Sequence, residues 1–305
     1  MMSLRFVRDP NPSELKPRRT LPPGIALRAF GAAALLLALL PGCTRPSLPA
    51  GIGTGGGLDA MRRQFVALRY VTEASQLVGL HPLDRPRVQF CLGRALALRP
   101  DDKLILAKAV TLYMGVADYT AALPQVERLS KLTGDKMLLE LGQCLVMTGD
   151  KQRGSEVLRE AVQQAEALLR WSRGANLVSY ALTLNNAGYT LADADVDLPQ
   201  AQRMIEHAVE AAPLEASFTD SLGWVLYRQG DLQQAAFYLE RAARQMGSHV
   251  DPAYYYHLGA VYAAQGRHDW AERALGKALE IDPHNQEAQD ALRRLRYHLP
   301  PPNRV

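Results

Sequence analysis

Two segments near the C-terminus are copies of each other, and this internal repeat constrains the fold more than any other feature. One copy begins at Asp220 and the other at Tyr256, and Leu222-Gly223 of the first aligns with Leu258-Gly259 of the second. A unit of this length cannot bury its apolar face alone, so several units must stack into one continuous array. The other aligned pairs are Gly230 with Gly266, Ala235 with Ala271, Leu239 with Leu275, and Ala242 with Ala278.

The order of small and large apolar residues in both copies resembles the tetratricopeptide-repeat (TPR) pattern. In that family, small residues at repeat positions 8, 20 and 27 let two antiparallel helices approach closely, and large residues at positions 7, 11 and 24 fill the space between them. Proline at position 32, here Pro283, ends the second helix. The resemblance implies an all-α fold, a right-handed α-solenoid of TPR helix-turn-helix repeats.

The same pattern weakens towards the N-terminus and sets the predicted domain boundaries. Residues 181–285 contain three C-terminal TPR repeats, and 135–180 contain a TPR-like repeat with a connecting helix. Residues 58–134 are predicted to form degenerate N-terminal helical repeats, and 286–305 a capping helix and tail. The stretch 162–180 exceeds a standard linker, so either a long helix or a break between two sub-arrays would fit it.

One repeat departs from the common length. The copy from about 181 fits the pattern with one extra residue between its helices, in the turn Asp193–Leu198. Its pattern positions are Gly188, Ala201, Ile205, Ala208 and Pro213, and those of the preceding copy are Leu141, Gly142, Gly149, Leu158 and Ala161.

Residues 1–42 have the pattern of an export signal. A basic segment that ends at Arg28 precedes residues 29–40, which carry no charge. As an α-helix these twelve residues would span about 18 Å, too short for a hydrocarbon core of about 30 Å. The segment is therefore typical of the apolar region of a signal peptide.

The signal ends in Leu40-Pro41-Gly42-Cys43, which resembles a bacterial lipobox. This resemblance implies that Cys43 is lipidated and becomes the mature N-terminus. An ordinary cleaved signal and an uncleaved anchor are the alternatives. Residues 43–57 are rich in Pro and Gly and are predicted to be a tether. In lipoproteins of this type, an Asp after the cysteine often marks retention in the inner membrane. Thr44 follows Cys43 instead, so the resemblance favours the outer membrane and a position that faces the periplasm.

The basic character of the chain is confined to the export signal. The formal net charge is +4. Residues 1–42 carry six basic and two acidic residues, which account for all of it. A nucleic-acid-binding protein needs a cluster of positive charge to replace the counterions of the phosphates. We therefore predict no nucleic-acid partner.

The TPR resemblance also implies a position for a ligand. In that family the first helix of each repeat lines a concave groove, and aromatic and Arg residues are the side chains that most often anchor protein interfaces. We predict a groove for a protein or peptide partner. The alternative is that the aromatic residues pack between repeats, with Trp224 covered by the next copy. The predicted partner-binding residues are Asn185, Tyr189, Asp220, Trp224, Tyr227, Arg228 and Tyr256.

The sequence shows no pattern for catalysis. It contains no HExxH or GxSxG motif. We predict no catalytic residue, cofactor or metal, and interpret Cys91 and Cys144 as buried free thiols. The seven histidines, among them His257, are interpreted as surface or interhelix residues.

These features together predict a membrane-anchored envelope scaffold or adaptor that binds other proteins, in the assembly of a pilus, a secretion channel or a polysaccharide-export machine. An envelope enzyme or regulatory subunit that acts on the cell wall is the alternative function. A structural homo-oligomer, paired through the end of the solenoid, is a third.

Overall fold

A computed structural model describes residues 56–78, 84–246, 252–297 and 299. The predicted signal peptide 1–42, Cys43 and most of the predicted tether lie outside the described residues. Residues Ile52–Val305 form one compact unit. Within its described part there are thirteen α-helices: α1 Gly56–Val78, α2 Arg85–Leu98, α3 Lys103–Gly115, α4 Tyr119–Thr133, α5 Leu138–Met147, α6 Lys151–Trp171, α7 Leu177–Asp193, α8 Leu198–Ala211, α9 Ala216–Gln229, α10 Leu232–Met246, α11 Pro252–Ala264, α12 His268–Ile281 and α13 Gln286–Arg296.

Consecutive helices pack as six pairs, from α1 with α2 to α11 with α12. First helices of neighbouring pairs also contact each other in four cases, α1 with α3, α5 with α7, α7 with α9 and α9 with α11, and α13 packs on the last pair. The prediction of an all-α fold of paired helices is confirmed. Helix α1 begins at Gly56, so its first two residues lie within the stretch that was predicted to be tether.

The close approach inside the last four of the six pairs depends on a glycine in the first helix. A Cβ atom on Gly223 would lie 2.6 Å from Cγ of Leu239 in the second helix. No real Cβ tolerates that distance, so only glycine lets the two backbones come together. The same relation joins position 8 to position 24 in three other pairs: Gly142 with Leu158, Gly188 with Ile205, and Gly259 with Leu275.

An aspartate caps the second helix of the first five pairs. The Asp118 carboxylate accepts a hydrogen bond from the Ala121 backbone N–H, which has no partner inside helix α4. In the sixth pair Arg267 occupies this position, and its side chain makes no capping hydrogen bond. The other four caps are Asp84 of α2, Asp150 of α6, Asp197 of α8 and Asp231 of α10.

The segment predicted as either a long helix or a break is a long helix. Helix α6 runs for 21 residues to Trp171, where the other second helices have 14 or 15. Helices α6 and α7 pack together, so the array continues through this region. The two main apolar clusters meet instead along α5, where Cys144 belongs to the N-terminal cluster and Val146 to the C-terminal one.

The two cysteines of the described region are buried and unpaired, as predicted. Burial raises the pKa of the Cys144 thiol to about 12. None of the helices in the described part of the chain is both long enough and apolar enough to cross a membrane.

A single methyl group added at Gly223 should test the packing rule. We expect Gly223→Ala to lower the free energy of unfolding by about 1–3 kcal/mol, because the Leu239 side chain must move out of a well-packed position. Gly276→Ala is the matched control, since its Cβ would meet no atom within 4 Å. That substitution should raise stability by roughly 0.5–1 kcal/mol. Urea denaturation followed by circular dichroism measures both, and equal effects would contradict the rule.

Candidate functional site

Side chains from α7, α9 and α11 converge on one another. These are the first helices of three successive pairs, and α9 contacts both of its neighbours. We call the group formed by Tyr189, Trp224, Tyr227, Tyr256 and His257 the aromatic cluster. Every member other than His257 was predicted as a groove residue. The structure brings together side chains that lie up to 68 residues apart in the chain.

Trp224 is the centre of the aromatic cluster. Its ring stacks on His257 at a centroid distance of 4.1 Å and on Tyr227 at 5.0 Å, and it lies 5.6 Å from the Tyr256 ring. Its indole Nε1–H donates to Asp193 Oδ1 at 3.2 Å. The Trp224 residue is only 3% exposed. The alternative prediction, in which Trp224 packs between repeats and is covered by the next copy, therefore holds for this residue.

Two carboxylates at the end of α7 hold Arg228 beside the cluster. The guanidinium donates from Nε to Asp195 Oδ1 at 3.0 Å, and also from its terminal nitrogen to the other Asp195 oxygen. A further hydrogen bond of 3.4 Å reaches Asp193 Oδ1. The cation lies 5.7 Å from the Trp224 ring centroid, within the range of a cation–π contact. Arg228 is thus fixed by a two-point ion pair and cannot turn freely towards solvent.

The extra residue in the turn between α7 and α8 explains how these carboxylates reach Arg228. Asp195 and Asp197 have φ angles of 54° and 41°, in the left-handed region that Asp adopts more readily than most residues. The longer turn puts Asp195 against α9, and Asp197 still caps α8. The extra residue that is visible in the sequence therefore places the Asp195 carboxylate against Arg228 of α9.

His257 is the site residue that sequence reasoning missed. Its Nδ1 lies 2.8 Å from Asp220 Oδ2, and both residues are buried. The pair joins α11 to α9 across 37 residues of sequence. The only sequence signal was the position of His257 next to Tyr256, and an interhelix histidine was one of the two interpretations offered.

Two buried oxygen atoms in the site accept no hydrogen bond from the protein. They are Asn185 Oδ1 and Asp220 Oδ1, in residues that are 7% and 5% exposed. Burial, together with the charges of Asp193 and Asp220, raises the pKa of Tyr189 well above its usual value. The site is therefore rich in hydrogen-bond acceptors, and the Tyr189 phenol stays protonated.

The predicted groove residues fall into two groups. Asn185, Asp220 and Trp224 are buried, so a partner could not reach them in this conformation. Only part of the surface of Tyr189, Tyr227, Arg228 and Tyr256 is exposed. No group of three or more His, Cys, Asp or Glu side chains that could hold a metal ion occurs in the described part of the chain.

The buried pair should show strong coupling in a double-mutant cycle. His257→Phe alone leaves the Asp220 carboxylate buried without its partner, and we expect it to lower stability by about 3–5 kcal/mol. The double variant Asp220→Leu/His257→Phe should be more stable than His257→Phe, because no unpaired charge remains.

The control is the exposed pair Arg296–Glu272, where Arg296→Ala should change stability by less than about 0.5 kcal/mol. Additive effects at Asp220 and His257 would refute the coupling. Urea denaturation measures every variant.

The C-terminal part of the chain is similar to known protein families. Residues 191–249 and 252–285 match family models described as tetratricopeptide repeat. The TPR repeat-containing protein PA4667 of Pseudomonas aeruginosa is 39% identical over 79 residues, which are 26% of this chain and only 13% of that relative.

Two solved structures share the fold. The thermophilic TPR protein TTC0263 of Thermus thermophilus aligns with a TM-score of 0.50 at 19% identity, over 64% of this chain and all of that one. A tetratricopeptide repeat protein of Parabacteroides merdae aligns with a TM-score of 0.54 at 14% identity, over 79% of this chain and all of that one. The family models therefore show tetratricopeptide repeats in residues 191–249 and 252–285, and the two structures show that the paired-helix fold of the described residues occurs in proteins of this kind.

Proposed function

We propose that this protein is a non-catalytic scaffold of the bacterial cell envelope, which binds a segment of a partner protein over α7, α9 and α11. Proteins built from tetratricopeptide repeats are scaffolds that bind other proteins. The proposed position of the partner, over α7, α9 and α11, rests on one observation. Three half-buried tyrosines lie beside buried residues that hydrogen bonds and ring stacking link across three repeats. Fixed aromatic rings provide contact area with little loss of side-chain freedom on binding.

The polar groups of the site favour a partner that donates hydrogen bonds. Asp193, Asp195 and Asp220 supply three carboxylates against the single cation Arg228. A peptide segment with Lys or Arg side chains, in an extended or helical conformation, would complement such a surface.

The proposal includes a lipid anchor at Cys43. Its support is the apolar segment 29–40 followed by a lipobox-like sequence. Each buried methylene of an acyl chain contributes about 0.8 kcal/mol, so two or more chains would hold the protein stably. The described repeats would then face the periplasm, with the outer membrane favoured. Assembly of a pilus, a secretion channel or a polysaccharide-export machine are the processes in which such a scaffold would serve.

Site-specific photo-crosslinking in cells should locate the partner surface. A photoreactive phenylalanine analogue at Tyr227 of α9, or at Leu182 of α7, should give an adduct with the same partner protein. Leu182 is 45% exposed and lies on the same side of α7 as Asn185 and Tyr189. The matched control is Phe237, which is 54% exposed but lies on the second helix α10. We expect no such adduct there. Adducts at Phe237 without any at Leu182 or Tyr227 would refute the groove assignment while leaving the fold intact.

The anchor is tested by metabolic labelling with an alkyne fatty acid. The wild-type chain should carry the label and sediment with membranes. Cys43→Ser should lose the label completely, since its hydroxyl cannot replace the acylated thiol. Cys91→Ala should keep it, because Cys91 is buried between helices. Label that persists in Cys43→Ser would exclude this residue as the lipid attachment point.

A further inference from the structure

The end of the hairpin formed by α6 and α7 differs from every other connection between successive pairs in the described region. Helix α6 ends at Trp171, thirteen residues after Leu158, where α8 ends at Ala211, six residues after the corresponding Ile205. At a rise of 1.5 Å per residue, seven further residues lengthen the helix by about 10 Å. We call residues 167–179 the hairpin tip.

The hairpin tip is a defined structure and not a loose loop. Ser172 and Gly174 donate backbone hydrogen bonds to Leu168 and Leu169, which closes the end of α6. Gly174 has a φ of 90° and Arg173 a φ of 52°, so the chain reverses within a few residues. Burial and the nearby Glu166 carboxylate raise the pKa of Tyr180 at the start of α7, which is consistent with close packing of the two arms below the tip.

The apolar side chains of the hairpin tip face solvent. Trp171 is 82% exposed and Val178 is 70% exposed, and Leu168 and Leu177 are 45% and 41% exposed. Trp171 and Leu168 lie three residues apart on α6, so they share one side of that helix. A group of large apolar side chains exposed at one end of an element marks an interaction surface rather than a core.

The charges of the tip are all positive. Arg170 and Arg173 are the only charged residues between Ala167 and Thr183. The nearest acidic residue on α6, Glu166, lies 3.2 Å from Arg170, one turn towards the body of the repeats. Both arginines are therefore beside the exposed Trp171, and no carboxylate is part of the tip.

We propose that the hairpin tip binds a lipid surface, with Trp171, Leu177 and Val178 in the interfacial layer and the two arginines on anionic headgroups. Trp is enriched at the boundary between headgroups and acyl chains, because its ring is apolar and its N–H is polar. Arginine pairs with phosphate oxygens through two parallel hydrogen bonds. Apolar side chains flanked by basic ones are the composition by which peripheral proteins dock on membranes. This contact does not depend on acylation of Cys43.

Tryptophan quenching by brominated lipids tests the contact in the full chain. The protein contains three tryptophans, of which Trp224 is buried and Trp270 lies on α12. With vesicles of phosphatidylcholine and phosphatidylglycerol that carry brominated acyl chains, we expect quenching and a blue shift of the emission. Trp171→Phe should abolish both changes, and the matched variant Trp270→Phe should retain both. Quenching of equal size in wild type and Trp171→Phe would overturn the proposal.

Two further experiments test the role of the arginines and whether the tip binds a second copy of the chain. Arg170→Gln/Arg173→Gln should reduce quenching to the level found with phosphatidylcholine alone, and an unchanged signal would overturn the role of the arginines. If sedimentation without lipid shows a dimer that Trp171→Glu dissociates, the tip binds a second copy and the lipid proposal is wrong. Since Leu182 and Tyr227 lie outside the tip, their crosslinks report on the partner groove separately, and fatty-acid labelling reports on Cys43 separately.

Discussion

The contact between a glycine in one helix and a branched aliphatic side chain in the next sets the geometry of the last four helix pairs. At Gly223 the Leu239 side chain occupies the space that any Cβ would need. This contact fixes the distance and the rotation of the two helices together. The faces of α7, α9 and α11 that carry the aromatic cluster follow from that rotation, because the opposite faces are committed to the partner helix. The site is therefore a consequence of the packing rule repeated three times.

The sequence predicted the pairing well because the residues that enforce it are local. Gly223 and Leu239 are sixteen residues apart, and the same spacing recurs in the next copy. The four predicted members of the aromatic cluster were also accessible to sequence reasoning, since each occupies a first-helix position. The N-terminal pairs, although weaker in pattern, form for the same reason: apolar side chains such as Val88, Leu92 and Ile105 are fully buried between them.

What the sequence could not supply were the contacts made across repeats. The burial of Trp224 depends on the position of the His257 ring, and the pairing of His257 depends on Asp220 of the preceding repeat. No periodicity encodes which of two adjacent residues, Tyr256 or His257, turns inwards. The extra residue in the turn after Asp193 was visible, but its effect required the left-handed backbone at Asp195 and the reach of Arg228. The exposure of Trp171 likewise depends on where α6 stops.

The buried pair of Asp220 and His257 has a consequence for how this array opens. In a simple stack each repeat contributes its own stability and a modest coupling to its neighbours, so that ends fray one unit at a time. Separation of α9 from α11 would leave the buried Asp220 without its partner His257. Trp224 adds to this coupling, because it donates a hydrogen bond to Asp193 of the preceding repeat and stacks on His257 of the following one. The last three repeats should thus open as one cooperative block, slower to exchange their amide protons than the N-terminal pairs. A partner that binds over this block would meet a surface that is either fully formed or absent.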